Sequence, residues 1–438
     1  MRIVQTISSL LILFIILPTS VYSQISTGRT KEIIDTLSSD ALRGRYAGSD
    51  GERLTTEYIK TEFEKYGLVP AGDEGSYFQN INKFGVELIS ESLLLNKKAV
   101  STSDFFIDTD RSDWMLKKAK SLKVITLGEE DDFKDQRESL IKTTEPTLVW
   151  VQGDMNQQQM SQLKIKLSNK ENYLDQLDGT RNIIWVKDQP EVRQKFKKIK
   201  LSFQQKTHQI VMRNVMAKIE GNGPRAKEVV MIGAHHDHIG ILQQIQGDSI
   251  ANGADDNASG VSAVLQLAEY FGKRRIKYPR TILFVTFTAE ELGLIGSDYM
   301  ANHMSDEELK NIVALINIEM IGKPSVNGKR KAYITGYDKS TLGAQMAETV
   351  LKNRINFKLF ADPYEDLDLF MRSDNAPFAV RGVIAHTVSS TDIDFDTYYH
   401  TVNDEAETLN YQNIVDVIKG LSVAIEPIVR GRITPKLK

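Results

Sequence analysis

From Arg213 onward, short unbroken apolar runs alternate with segments whose apolar positions recur every three or four residues. The runs at 229–232, 280–287 (RTILFVTF) and 312–318 (IVALINI), with shorter ones at 332–335 and 383–388, predict buried strands. Val261, Val264, Leu265, Ala268 and Phe271 fall on one face of a helix over 261–273. Further helices are predicted over 292–303, 342–354 and 411–429. Apolar strands alternating with helices predict a three-layer α/β/α sandwich around a mixed, mostly parallel sheet.

The amino-terminal part, residues 24–88, reads as helical. Helices are predicted over 31–37 and 51–66, the second with Leu54, Tyr58, Ile59, Phe63 and Tyr66 on its apolar face and Gly67 as its stop. Between them, 43–49 (RGRYAGS) is a turn-rich linker. Residues 89–204 change character: Lys, Gln, Asp and Glu dominate, and the strand-like runs at 122–127, 147–151 and 182–186 are separated by polar helical stretches. This predicts a small α/β subdomain inserted into a catalytic domain made of 24–88 and 205–438. No residue combination in the insertion points to chemistry, and its charge runs read as solvated faces.

Composition narrows the picture in three ways. A chain of 438 residues with 41% hydrophobic content can bury a large core. A formal net charge of −3 gives no reason to expect nucleic acid as a partner. The absence of cysteine excludes disulfides and limits any zinc site to histidine, carboxylate and water ligands. The first 23 residues form a secretory signal pattern, with Arg2, the apolar core 10–17 (LLILFIIL), Pro18, and Val21 and Ser23 as small cleavage-site residues. The mature protein is therefore expected to be secreted or periplasmic with no stable membrane insertion, and the core is too short to span a bilayer comfortably.

Four segments place metal-type side chains just after an apolar run, namely His235 and Asp237 (GAHHDH), Asp255 and Asp256 (NGADDNASG), Glu290 and Glu291 (TAEELGLIGS), and Glu319 (NIEMIG). A fifth, His400 (YHTVND), comes late in the chain. Two cations about 3.5–4 Å apart repel, so a hydrolase using both needs a carboxylate between them. Each cation also needs a histidine and a further carboxylate, and a separate carboxylate must accept the proton of the attacking water. An adjacent Glu-Glu pair can divide the last two tasks. His208, His303 and His386 read as structural, His236 and His238 as flanking residues, and Asp404 as a helix cap.

Taken in order, these motifs resemble those of the M28 metallopeptidases, over roughly 27–88 and 210–425. The resemblance implies a di-zinc exopeptidase, most simply an aminopeptidase acting on peptides. It implies that Asp255 bridges two zinc ions, that His235 and Glu319 complete one site, and that Glu291 and His400 complete the other. Glu290 would be the general base, Asp237 would orient His235, and Tyr399 would stabilise the oxyanion. A cis peptide is expected between Asp255 and Asp256. Two departures from the family pattern stand out: Glu319 where many members carry Asp, and Asn375 where a Ser-Asp-His sequence is common. Glutaminyl-peptide cyclase chemistry and a non-catalytic scaffold remain as alternatives. If the signal is cleaved as read, sequencing of the mature protein should start near Gln24; an intact Met1 would contradict it.

Overall fold

The computed structural model describes residues 25–438 except 169–172, 175–176, 246 and 275. The signal sequence read over 1–23 lies outside them. The chain divides into two compact units, one made of residues up to Gln79 with Asn214–Lys438, the other of Asn80–Arg213.

In the first unit a mixed sheet runs in the order Lys358–Ala361, Lys331–Ile334, Ala385–Ser389, Ile312–Ile318, Val229–His235 and Thr281–Phe287. The three strands from Ile312–Ile318 to Thr281–Phe287 are parallel. The segment 215–219 pairs antiparallel with Thr281–Phe287, and Val69–Pro70 pairs antiparallel with it in turn. The central strands are apolar on both sides because both faces are covered. Val230, Ile232, Ala234, Ile282, Phe284, Ala314 and Ile316 face a core shared with helices Thr27–Leu37, Asp50–Lys65, Gly260–Gly272, Leu342–Lys352 and Tyr411–Val429. Met231, Leu283, Val285 and Leu315 face the opposite way, toward Met300 of helix Ile295–His303 and Phe378 of helix Asn375–Val380. Strand period two thus divides each strand between two helical layers, the architecture expected from the pattern.

One predicted helix starts late. Residues 292–294 continue the loop after Thr281–Phe287 because Gly293 and Leu294 have φ of 101° and 63°, so the helix begins at Ile295. This loop carries Glu290 and Glu291.

The second unit has its own four-stranded sheet, ordered Phe105–Thr109, Asn182–Lys187, Thr147–Val151 and Lys123–Leu127. Its strands bury Trp150 and Leu148 on one side and Trp185 and Val149 on the other.

The side chain of Arg280, wholly buried, anchors the carboxyl-terminal end of the first unit. It donates to the carbonyls of Ile428 and Ile433 (2.6 Å each) and to Glu228 Oε2 (2.6 Å). Burial pushes its guanidinium down, against the hydrogen bond and charge of Glu228. Hydrogen bonds from Arg225 and then Arg280 hold the Glu228 carboxyl down at about 2. The folded value lies below the ordinary 4.5, so this stabilisation is complete above that pH and is lost as pH falls through about 2. The melting temperatures of the parent and Glu228→Gln should therefore differ most near neutral pH and converge toward pH 2; a gap independent of pH would contradict the assignment.

Candidate active site

The site forms at the carboxyl ends of the three parallel strands. His235 is the last residue of Val229–His235, Glu290 and Glu291 follow Thr281–Phe287, and Glu319 follows Ile312–Ile318. Their donor atoms gather in two groups, His235 with Glu290 and Glu319, and His238 with Asp256 and Glu291, each within 4.8 Å. Asp256 spans them: Oδ1 lies 3.2 Å from His235 Nε2, and Oδ2 lies 3.3 Å from His400 Nε2. His400 Nε2 is also 2.9 Å from Glu291 Oε2.

Asp255, expected as the bridge, faces elsewhere. Its Oδ1 accepts from Gly322 N–H (2.7 Å) and Ser259 Oγ (3.1 Å), and its Oδ2 accepts from Thr391 Oγ1 (2.7 Å). Lys323 Nζ stands 3.9 Å away. The reason is local. In the wide turn Ala254–Ser259, Asp256 (φ −102°, ψ 95°) and Asn257 (φ −129°, ψ 40°) leave helical geometry, so the adjacent carboxylates diverge. The cis peptide joins Asp256 to Asn257, one position later than expected.

Buried polar groups fix this arrangement. Arg45 is fully buried and donates to the carbonyls of Leu37 (2.5 Å), His236 (2.8 Å), Asn252 (2.5 Å) and Gly253 (2.9 Å). One guanidinium therefore ties the loops that carry His235 and Asp256 to the amino-terminal segment. Gly44 beside it has φ +68°, and a Cβ there would meet the carbonyls of Gly240 and Ala251 at 2.5 and 2.6 Å. Asp404, expected as a helix cap, instead accepts the N–H groups of Asp255 (3.0 Å) and Asp256 (2.9 Å). Asp237 accepts the N–H groups of Glu290 (3.1 Å) and Glu291 (3.3 Å), and its carboxylate stands 3.7 Å from His235 Nδ1. The Asp237 carboxylate therefore aligns the glutamates, while His235 Nδ1 meets the backbone carbonyl of Asp237 at 3.2 Å. His238 Nδ1 contacts Glu291 Oε1 at 2.7 Å, which makes it more than a flanking residue.

The electrostatics describe a crowded carboxylate cluster. Burial lifts Glu290 well above the usual range, helped by Glu319, Asp374 and Glu291 against the charge of His235. Burial also raises Glu319 and Asp374 to about 7. Asp256 is held well below the ordinary value despite its burial, by the imidazoles of His235 and His400 beside it. His400 rises to about 10 against burial, through Asp256 and Glu291. Several buried atoms find no hydrogen-bond partner: His235 Nε2, His238 Nε2, His400 Nε2 and Glu319 Oε2. Imidazole and carboxylate donors left unmatched beside one another fit divalent cations such as zinc.

A cavity of about 280 Å³ opens onto this cluster, lined in part by Asp256, Glu290, Glu319, Met320, Arg372 and Tyr399. Tyr399 stacks on His400 with ring centroids 3.9 Å apart. The Asn375 departure has a structural outcome: its amide donates to Phe370 O (2.9 Å) and accepts from Thr387 Oγ1 (2.7 Å), so it braces its own loop. Its neighbour Asp374 is buried with both oxygens unpartnered. His386 is structural as expected, bonded to Ser340 Oγ and Thr335 O. The reading from sequence missed Asp256 as the spanning carboxylate, His238 and Arg45. NGADDNASG signals the first by adjacency and GAHHDH the second, whereas nothing around Arg45 announces a buried anchor.

A model described as peptidase family M28 matches residues 214–424. Aminopeptidase YwaD of Bacillus subtilis (strain 168) is 25% identical over 214 residues, covering 48% of this chain and 43% of the relative. An aminopeptidase of Pseudomonas aeruginosa PAO1 is 31% identical over 174 residues, covering 39% of this chain and 29% of the relative. The chain thus spans less than half the length of these curated relatives. Among solved structures, BSAP, a zinc aminopeptidase from Bacillus subtilis, aligns with a TM-score of 0.57 at 18% identity over 93% of this chain and 96% of its own. An aminopeptidase from Aneurinibacillus sp. strain AM-1 aligns at 0.55 and 18%, over 94% and 95%. At these identities the structural likeness is one of fold.

The geometry separates the two adjacent aspartates. Asp256→Ala should abolish zinc binding, whereas Asp255→Asn should keep it with reduced affinity, measured as metal per chain after dialysis. Undiminished zinc binding by Asp256→Ala would contradict this assignment.

Proposed function

We propose that the chain, whose residues 214–424 match the model of peptidase family M28, is a zinc-dependent aminopeptidase that removes residues from the free amino end of peptides. The observation that carries the proposal is Asp256, whose two oxygens face separate histidine–carboxylate groups. His235 and Glu319 would hold one zinc ion, Glu291 and His400 the other, with Asp256 shared and His238 beside Glu291. Two bound zinc ions supply Lewis acidity toward a peptide carbonyl and toward water.

The protein's own groups do the rest. Glu290 accepts the proton of the attacking water and passes it to the leaving amine. Its backbone is fixed through Asp237, which keeps it beside Glu291 without sharing that residue's contact with His400. Tyr399, which lines the same cavity as both glutamates, would donate to the developing oxyanion. Carboxylates along one wall favour the substrate's ammonium end. The signal pattern of the first 23 residues supports export of the mature enzyme.

The test is a panel of aminoacyl and dipeptidyl substrates, free and acetylated, with the zinc-loaded protein and Glu290→Gln. Free substrates should be cleaved and their acetylated forms little or not at all. A chelator should stop the reaction and zinc should restore it. Glu290→Gln should keep its metal and lose at least about 10²-fold in kcat. Equal cleavage of blocked substrates would refute the amino-end specificity. Ammonia release from glutaminyl peptides without hydrolysis would favour the cyclase. Full turnover by Glu290→Gln would take the base role from it.

A further inference from the structure

The second unit carries a concentration of positive charge that the catalytic reading does not use. A groove of about 620 Å³ has ten lining residues, seven of them lysines and none acidic. The lysines come from three separate segments. Lys97 sits at the hairpin turn after Leu95, Lys117, Lys118 and Lys120 on the stretch following strand Asp113–Leu116, and Lys197, Lys198 and Lys200 around the start of strand Ile199–Ile219. All seven are exposed, and among the described residues none is held in an ion pair.

The backbone holds these charges together. Asn96 accepts from the N–H groups of Lys197 (2.9 Å) and Lys198 (3.1 Å) and donates to Lys195 O (2.8 Å). Its own N–H reaches Lys198 O at 2.9 Å. Leu201 pairs with Leu116, and Lys200 and Lys117 adjoin that pair on the two neighbouring segments. Like charges brought together on neighbouring segments are unfavourable. A clamped, uncompensated cluster of this kind calls for anions supplied from outside the chain.

We propose that this groove binds a strand of an anionic polysaccharide through its repeated sulfates or carboxylates. Seven point charges spread over three segments exceed what one small anion can match, and a concave surface suits a chain better than a flat bilayer. No aromatic ring lines the groove, which removes the stacking platform that single-stranded nucleic acid uses. The ammonium groups lack the guanidinium fork that reads planar groups bidentately. Leu94, Ala119 and Ile199 give the groove apolar patches against which sugar rings can lie. The proposal is independent of the peptidase reading.

The experiment is fluorescence anisotropy of the full chain with labelled heparin fragments, the sulfated probe, and polygalacturonate fragments, the carboxylated one. Binding should weaken at least about tenfold between roughly 50 and 200 mM salt, as expected of multiple released counterions. Lys118→Glu/Lys198→Glu, and independently Lys120→Glu/Lys200→Glu, should each weaken binding at least about tenfold. Lys134→Glu/Lys142→Glu changes the same charge outside the groove and should bind like the parent. Whichever glycan binds more tightly identifies the anion. The proposal is overturned by no binding of either glycan at the lower salt, by equal losses in the control and groove variants, or by tighter binding to phosphatidylglycerol vesicles or duplex DNA.

Discussion

Asp256, Glu290, Glu291 and Glu319 meet at the carboxyl ends of parallel strands, and a buried charge there is costly unless it is matched. Three histidines match part of it, and atoms such as His235 Nε2 and Glu319 Oε2 remain without a hydrogen-bond partner. Much of the surrounding unit is arranged to hold this cluster in place before any cation arrives. Arg45 reaches in from the amino-terminal segment, Asp404 from the loop after His400, and Asp237 from within the motif itself. None of the three needs to touch a metal. Each uses buried hydrogen bonds to backbone groups, so removing one would strand several donors or acceptors at once.

The strands and helices of the first unit were legible because both faces of its sheet are buried and each helix has one apolar face. Val229–His235 and Ile312–Ile318 read as continuous apolar runs for that reason. The set of site-bearing loops was legible too, since each acidic or histidine motif follows a strand. Which of two neighbouring aspartates faces the histidines and glutamates of the site was not. That choice is made by the backbone of Ala254–Ser259, where Asn257 donates to Ile318 O and accepts from Gly260 N–H, turning the chain between one carboxylate and the next. Residue identity carries no record of that turn. Arg45 was illegible for a different reason: its acceptors are carbonyls, which every residue has, at positions about two hundred residues away.

The displacement of Asp255 has a consequence for how the site is kept together. Its carboxyl, raised to about 7 by burial and by Asp404, accepts from Gly322 and Thr391 and lies near Lys323. Lys323 in turn contacts both oxygens of Asp396 at 2.8 Å and lies over the Tyr398 ring. Asp396 and Tyr398 precede Tyr399 and His400 in the same loop. Asp255 is therefore joined through Lys323 to the segment that delivers His400, while Asp256 meets His400 directly. Two adjacent carboxylates serve one loop, one by structure and the other by the chemistry proposed for it.

The longer arm at position 319 fits the same logic. Glu319 N–H donates to Val388 O at 3.0 Å, so its backbone is held by the neighbouring strand Ala385–Ser389. From that fixed point the extra methylene carries the carboxylate to within 4.8 Å of the donor atoms of His235 and Glu290. An aspartate on the same backbone would end one carbon short. Reach at this position is set by strand pairing together with side-chain length, which is how Glu319 comes to stand beside His235 and Glu290.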